Sequence, residues 1–295
     1  MKEIRKLDEN DAKLVSDLKV IWMECFQETE DSWEFYYKNR FRYENTCVYI
    51  REEKVVGMLT MLPATLLLQE QEKKIYYIYA VATLPDFQKQ GVASDLLTFV
   101  KDVADKEEAL LCLVPASAKL FSYYEKQGFI SSFYRKKIEY DESWLKRTRS
   151  NKCQLCESEY LYKQMQLDFI EPETYKRLRD GAFRKNGYVK WDLEAVSYAL
   201  KENNHYNGFT VKLTIKQKEY IIMAAIADKR LIIRETTLDS SYLSDIVYWL
   251  CQEKGCKYAV AYVPAYFLEG EVLPFGMLSE PISIENAYLN LALDG

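Results

Sequence analysis

Apolar and polar positions follow two periods along this chain, and the switches between them outline its elements. Residues 3–7 read as a strand. Leu14, Leu18, Ile21 and Trp22 recur at helical spacing and predict a helix over 11–26. Asp31-x-x-Glu34 resembles a capping box and predicts a second short helix through Arg40. Residues 47–51 and 54–62 read as a hairpin around Glu52-Glu53, and 65–68 and 73–82 as another. After Gly91 the period is helical again, with Leu96, Leu97, Val100 and Val103 on one face. Residues 110–114 form a continuous apolar run ended by Pro115, as in a buried strand. Residues 117–127 predict a helix stopped by Gly128, and 129–139 the last strands of this half. Strands separated by helices predict an α/β (α+β) fold. Its sheet should be mixed, mostly antiparallel and flanked by helices, with a parallel pair around the Gly91 helix.

A charged, loop-like stretch over 141–156 places a boundary near residue 150 and predicts two domains, 1–145 and 150–295. The second half repeats the first in weakened form: strand 231–237, helix 240–252, strand 257–263. Val263-Pro264-Ala265 matches Val114-Pro115-Ala116, and Gly276 follows Val263 at nearly the distance at which Gly128 follows Val114. The interval from Thr237 to Val263 is five residues shorter than that from Thr83 to Val114, and the missing residues fall at the loop before the helix. The expected reading is a tandem pair whose second copy lacks that loop. Two unrelated α/β halves sharing a tripeptide is the alternative.

With 295 residues and 48% hydrophobic content, two packed cores are affordable. A net charge of −5 and a pI of about 5.3 argue against a nucleic-acid binder and permit a cationic partner. No apolar run approaches the ~18 residues of a membrane span. Met1-Lys2-Glu3-Ile4-Arg5-Lys6 is too charged for a signal peptide, so a cytoplasmic location without a membrane partner is expected. Cys25, Cys47, Cys112, Cys153, Cys156, Cys251 and Cys256 are odd in number and scattered, the pattern of reduced thiols. Cys153-x-x-Cys156 and Cys251-x4-Cys256 could form two halves of a zinc site, but Cys251 falls in a helical pattern, and no metal is expected. His205 is the single histidine, which leaves acid–base work to Glu, Asp, Tyr, Cys, Lys or water.

The run Gln88-Lys89-Gln90-Gly91-Val92-Ala93-Ser94 joins a strand to a helix. Gly91 can adopt positive φ, Ala93 leaves the backbone uncovered, and N–H groups at a helix N-terminus can share an anion. A pyrophosphate fits such a turn. A plain strand-to-helix corner uses the same glycine.

Two motifs in order, Val81-Ala82-Thr83-x-Pro85-x-Phe87-Gln88-x-x-Gly91-x-Ala93 and Tyr123-Tyr124-Glu125-Lys126-Gln127-Gly128-Phe129, resemble the signatures of the GCN5-related N-acetyltransferase (GNAT) superfamily over roughly residues 1–140. The resemblance implies an acyl-CoA-binding fold that transfers acetyl to an amine, with acetyl-CoA as co-substrate. It implies that Gln88 to Ser94 cradle the pyrophosphate and that the main chain of Val81, Ala82 and Thr83 holds the pantetheine arm. It implies that Tyr124 protonates the leaving thiolate, with Tyr123 pointing elsewhere as a packing residue. Packing is also the alternative for Tyr124, since the chain has 24 tyrosines. Several relatives carry a glutamate base eleven residues before the glutamine, where this chain has Tyr77. Glu24 and Glu28 are then the candidate bases, acting through water; their plain reading is solvated helix charge. Glu24, Glu28, Glu30 and Asp31 with Trp33, Tyr36 and Tyr37 would form an acceptor wall suited to a small cationic amine or a peptide amine.

The Ala-Thr-x-Pro wording and the degenerate second copy are similar to the enhanced-intracellular-survival type, and no counterpart of that type's third, sterol-carrier-like domain is expected. Two other functions stay open: a non-catalytic acyl-CoA sensor, and a tandem-GNAT aminoacyl transferase using charged tRNA. The missing strand glutamate favours the first; the acidic pI and the intact loop oppose the second.

Overall fold

The computed structural model describes residues 2–150, 170–281 and 287–291. They fall into two compact units, one made of 2–66, 72–132 and 276–281, the other of 67–71, 133–150, 170–275 and 287–291. The pair Cys153 and Cys156 lies outside the described residues.

In the first unit, β1 (Lys2–Lys6) pairs antiparallel with β2 (Thr46–Arg51), and β2 with β3 (Lys54–Leu68). A short 3-10 segment at Glu9–Leu14, capped by the Asp8 and Asp11 carboxylates, leads into α1 (Val15–Phe26). Leu18, Ile21 and Trp22 are its buried face. The second helix, α2 (Glu30–Asn39), starts two residues before the place the expected box gives it. The Thr29 hydroxyl accepts from the Ser32 N–H at 3.2 Å and serves as cap, so Asp31 falls inside the first turn. The two expected hairpins share one continuous strand: β3 runs 15 residues to Leu68 and turns into β4 (Gln71–Thr83). After the Gly91 turn come α3 (Val92–Lys106), β5 (Leu110–Leu113) and α4 (Ala118–Lys126). β4 and β5 are parallel, as expected.

Leu96, Leu97, Val100 and Ala104 of α3 are buried and pack on Val56, Leu59, Tyr76, Ile78 and Leu111. Gly57 on β3 makes this approach possible: a Cβ there would lie 2.5 Å from Val92 Cγ1 and 3.2 Å from the Ala82 carbonyl oxygen. Val92 is β-branched and buried, so it cannot swing aside. Gly57→Ala should therefore overpack the core and cost about 1–3 kcal/mol, read as a lower urea midpoint at unchanged slope.

The second unit contains most of β6 (Ile130–Tyr140), then α5 (Glu142–Ser150), α6 (Pro172–Phe183), β7 (Tyr188–Lys190), α7 (Leu193–His205), β8 (Phe209–Ile215), β9 (Lys218–Ala227), β10 (Arg230–Thr236), α8 (Ser240–Lys254), β11 (Tyr258–Pro264) and the start of β12 (Glu271–Leu278). The series α6, α7, β8, β9, β10, α8, β11 repeats α1, α2, β2, β3, β4, α3, β5. In both, the strands flanking the last helix are parallel. A buried carboxylate, Glu235, sits against Arg179 at 3.2 Å and accepts from the Tyr175 hydroxyl at 2.8 Å. Arg179 also donates to the carbonyls of Val189 and Leu289, tying α6 to β7 and to the chain's last described residues.

The contiguous division expected at 1–145 and 150–295 differs from these units. The stretch 129–139, expected to supply the last strands of the first half, forms β6, which pairs antiparallel with β11 from Ala259↔Tyr140 to Pro264↔Arg135. In exchange, Met277 and Leu278 of β12 pair with Leu113 and Cys112. Ladder bonds join backbone edges of matching register and face, and chain distance does not enter.

Candidate active site

The β4–β5 register ends at Tyr77↔Cys112, yet β4 runs on to Thr83. Its last six residues lie beyond that register, and a strand running past its neighbour can offer N–H and C=O groups to an extended ligand. Ala80 sits at φ +53°, uncommon for a residue with a Cβ, where the strand leaves its partner. Val81 and Thr83 are half-buried and Ala82 buried. The Thr83 hydroxyl is buried and has no hydrogen-bond partner among the described residues.

Pro85–Phe87 forms a 3-10 turn, and Gly91, at φ +84°, ψ 0°, is the N-terminal cap of α3 without a side-chain capping bond. The first intrahelical bond runs from the Asp95 N–H to the Gly91 carbonyl at 2.9 Å. The N–H groups of Val92, Ala93 and Ser94 thus belong to the unpaired first turn, at the positive end of the helix dipole. Gln88, Lys89, Gln90 and Gly91 are exposed, and a Cβ at Gly91 would meet nothing within 4 Å. Two side chains shape the loop from within: the Gln88 amide donates to the Thr83 carbonyl at 3.2 Å, and the Gln90 amide to that of Asp86 at 2.8 Å.

Three residues near this loop were not singled out from sequence. The Arg51 guanidinium, at the end of β2, donates to Gln90 Oε1 at 2.6 Å and lies 5.2 and 5.8 Å from the rings of Tyr49 and Phe87. It sets a permanent cation beside an anion-ready turn. It is 39 residues from Gln90 in sequence, so no local pattern could find it. Cys25 donates its thiol to the Thr83 carbonyl at 3.3 Å, and burial, then the neighbouring Glu24 charge, raises the thiol's pKa. Gln127 donates to the Ser94 hydroxyl at 3.2 Å.

Tyr124 lies in the core with Ile78, Leu97, Leu113 and Phe129, 7% exposed, its ring edge-on to Phe129. Burial, reinforced by Tyr123, pushes its hydroxyl up to about 12, so it keeps its proton at neutral pH and can act only as an acid. Tyr123, expected to point elsewhere as a packing residue, packs against the same core and places its hydroxyl 3.3 Å from the Ser94 hydroxyl.

Glu24 is exposed on the last turn of α1 and Glu28 is half-buried just after it. The expected acceptor wall divides. Trp33 and Tyr36 are core residues; Tyr36 stacks on Trp22 at 4.3 Å and shares a hydrogen bond with Thr60 Oγ1 at 3.1 Å. Tyr37 is exposed, stacked on Trp33. Glu30 is paired with Lys19, and Asp31 is exposed. Tyr79 of β4 lies 6.3 Å from Trp22 and 6.4 Å from Tyr77, joining this aromatic cluster to the open end of β4. Tyr77 itself is buried.

In the second unit the matching helix, α8, follows β10 after three residues, with Asp239 at the N-cap position and no side-chain capping bond. That carboxylate already holds Lys218 at 3.0 Å and the Tyr220 hydroxyl at 2.5 Å. An acid therefore stands where the first unit has Gly91, which repels a phosphate. Among the described residues no group of three or more His, Cys, Asp or Glu gathers as a metal site, and no helix is long and apolar enough to cross a membrane.

Residues 3–131 match the family model of the acetyltransferase (GNAT) domain. No curated protein matches the sequence. Among solved structures, the GCN5-related N-acetyltransferase of Anabaena variabilis ATCC 29413 superposes with a TM-score of 0.68 at 16% identity, over 94% of this chain and 72% of its own. A probable N-acyltransferase of Enterococcus faecalis V583 gives 0.71 at 13% identity, over 94% and 72%. Eis1 of Mycobacterium abscessus gives 0.65 at 10% identity, over 94% and 73%. Residues 3–131 are thus similar to the GNAT acetyltransferase domain, within a chain that shares the fold of these solved structures over nearly all its length.

Proposed function

We propose that this protein is a cytoplasmic N-acetyltransferase that moves an acetyl group from acetyl-CoA directly to a small cationic amine or a peptide amine within a ternary complex. The observation that carries this reading is the Gly91 turn: a left-handed glycine caps α3, and the N–H groups of Val92, Ala93 and Ser94 are available for an anion beside the part of β4 that runs beyond its β5 register. The residues fit the cofactor. A pyrophosphate suits that turn, with Arg51 adding charge, and the buried, unpartnered Thr83 hydroxyl lies where the pantetheine arm would pass.

Bound acetyl-CoA supplies the thioester carbonyl that an amine attacks. Val81, Ala82 and Thr83 align the arm by strand-like main-chain bonds, and holding both reactants together supplies much of the rate. Tyr124, protonated at neutral pH, gives its proton to the departing sulfur. The incoming amine must be neutral to attack, and Glu24 or Glu28 can take its proton through water. Net charge −5 and the acidic end of α1 favour a cationic acceptor over nucleic acid.

Turnover against a panel of amines, with CoA release as readout, tests the reading. CoA binding without turnover would instead make the chain a sensor, a reading favoured by the buried Tyr77 standing where relatives have a base. Calorimetric titration of the full chain with CoA should give a stoichiometry near one, because Asp239 closes the corresponding helix start of the second unit. A value near two would show a second cofactor site.

A further inference from the structure

Ser94 is the third residue of α3, inside the turn assigned to the pyrophosphate. Its hydroxyl also faces the helix that carries Tyr124. The Gln127 amide donates to Ser94 Oγ at 3.2 Å, and the Tyr123 hydroxyl lies 3.3 Å from it, either atom able to donate. A serine hydroxyl has one proton to give and two lone pairs to fill. With Gln127 filling one lone pair, the Ser94–Tyr123 bond can run in either direction.

An anion at the first turn removes that freedom. Bonds to a charged acceptor are roughly twice as strong as neutral ones, so the Ser94 proton turns toward the anion. Its second lone pair is then filled only if Tyr123 donates, and the polarised chain Tyr123 to Ser94 to anion strengthens each bond. Tyr123 and Tyr124 are consecutive on α4, with rings 5.2 Å apart and edge-on. The end of α4 is fastened to α3 a second time by Lys101, which donates to the Gln127 carbonyl and lies 5.3 Å from the Phe129 ring. Tightening the Ser94 bond therefore draws on the segment that sets the place of Tyr124.

We infer that Tyr123 is a positioning residue which, through the Ser94 hydroxyl, couples anion occupancy at the start of α3 to the placement of the Tyr124 hydroxyl, an inference that rests on the acetyltransferase reading.

The test uses the full chain with its tyrosines labelled at Cζ, Tyr123 and Tyr124 being assigned by single replacement with Phe. Inorganic pyrophosphate is the probe, since it fills the turn and has no thiol to touch Tyr124. The wild type should shift both resonances along one saturation curve. Ser94→Ala and Tyr123→Phe should each abolish the Tyr124 shift. In acetyl transfer, each single variant should lower kcat about 5- to 30-fold, Tyr123→Phe with CoA affinity within about threefold and Ser94→Ala with weaker CoA binding as well, and the double variant should have a kcat no lower than the lower single. A Tyr124 resonance that ignores pyrophosphate, or follows it equally in Ser94→Ala, overturns the inference, as does an additive double variant. If the same wild-type protein binds CoA, the acetyltransferase reading survives that result; if it binds neither pyrophosphate nor CoA, both fall.

Discussion

Tyr124→Phe is expected to lower kcat by about 10- to 1000-fold while leaving CoA affinity nearly unchanged. The substitution removes one oxygen and keeps the ring that packs edge-on against Phe129, so the core around Leu97, Leu113 and Phe129 should survive. The loss falls on the transition state because the hydroxyl matters when negative charge develops on the departing sulfur, and little before. Burial holds the hydroxyl near 12, so its proton is present throughout the neutral range. The sign follows: raising the pH through neutrality does not deprotonate this acid, and any fall of rate toward low pH reports protonation of the amine or its base. Steady-state kinetics beside calorimetric CoA binding separates the two effects. A Phe variant as fast as wild type would reduce Tyr124 to a packing residue.

The second large effect is expected at Gly91. Gly91→Asp should abolish the rise in melting temperature that CoA gives the wild type. A ligand at a hundred times its Kd stabilises by about 2.7 kcal/mol, so the missing shift is easily read. The backbone at φ +84° suits glycine, and a Cβ there meets open space. A side chain should thus cost about 1–2 kcal/mol of backbone strain and leave the fold intact. The carboxylate places negative charge at the mouth of the α3 N-terminus, where phosphates and the helix dipole would otherwise meet. Gly91→Ala is the control: it carries the same strain without the charge, and should weaken CoA binding without eliminating it. Equal behaviour of the Ala and Asp variants would mean that geometry alone, and no anion, governs this turn.

Much of the first unit could be read in advance because its signals are local. The face of α3 is set by Leu96, Leu97 and Val100 at helical spacing, and its start by a glycine that tolerates positive φ. The strand ended by Pro115 and the helix stopped by Gly128 are equally short-range. Errors of detail were local competitions between similar groups. Thr29 and Asp31 are both capping residues, and Thr29 takes the cap of a helix that begins two residues earlier than an Asp31 cap would start it. Trp33 and Tyr36 were read as a wall facing a ligand, whereas packing against Trp22 and Phe41 buries them; amphipathic rings serve either purpose, and sequence alone does not say which.

Periodicity and turn chemistry by themselves determined the α/β class, the face of α3 and the Gly91 turn, since each depends on residues close together in the chain, and two short motifs made Tyr124 a candidate. Only the tertiary structure decided which strands share a ladder, that 135–140 joins β11 while Met277 and Leu278 join β5. It alone brought Arg51 to Gln90 and Tyr123 to Ser94. Those pairings depend on backbone register and on distances between side chains 29 or more residues apart, and a one-dimensional pattern carries no record of either.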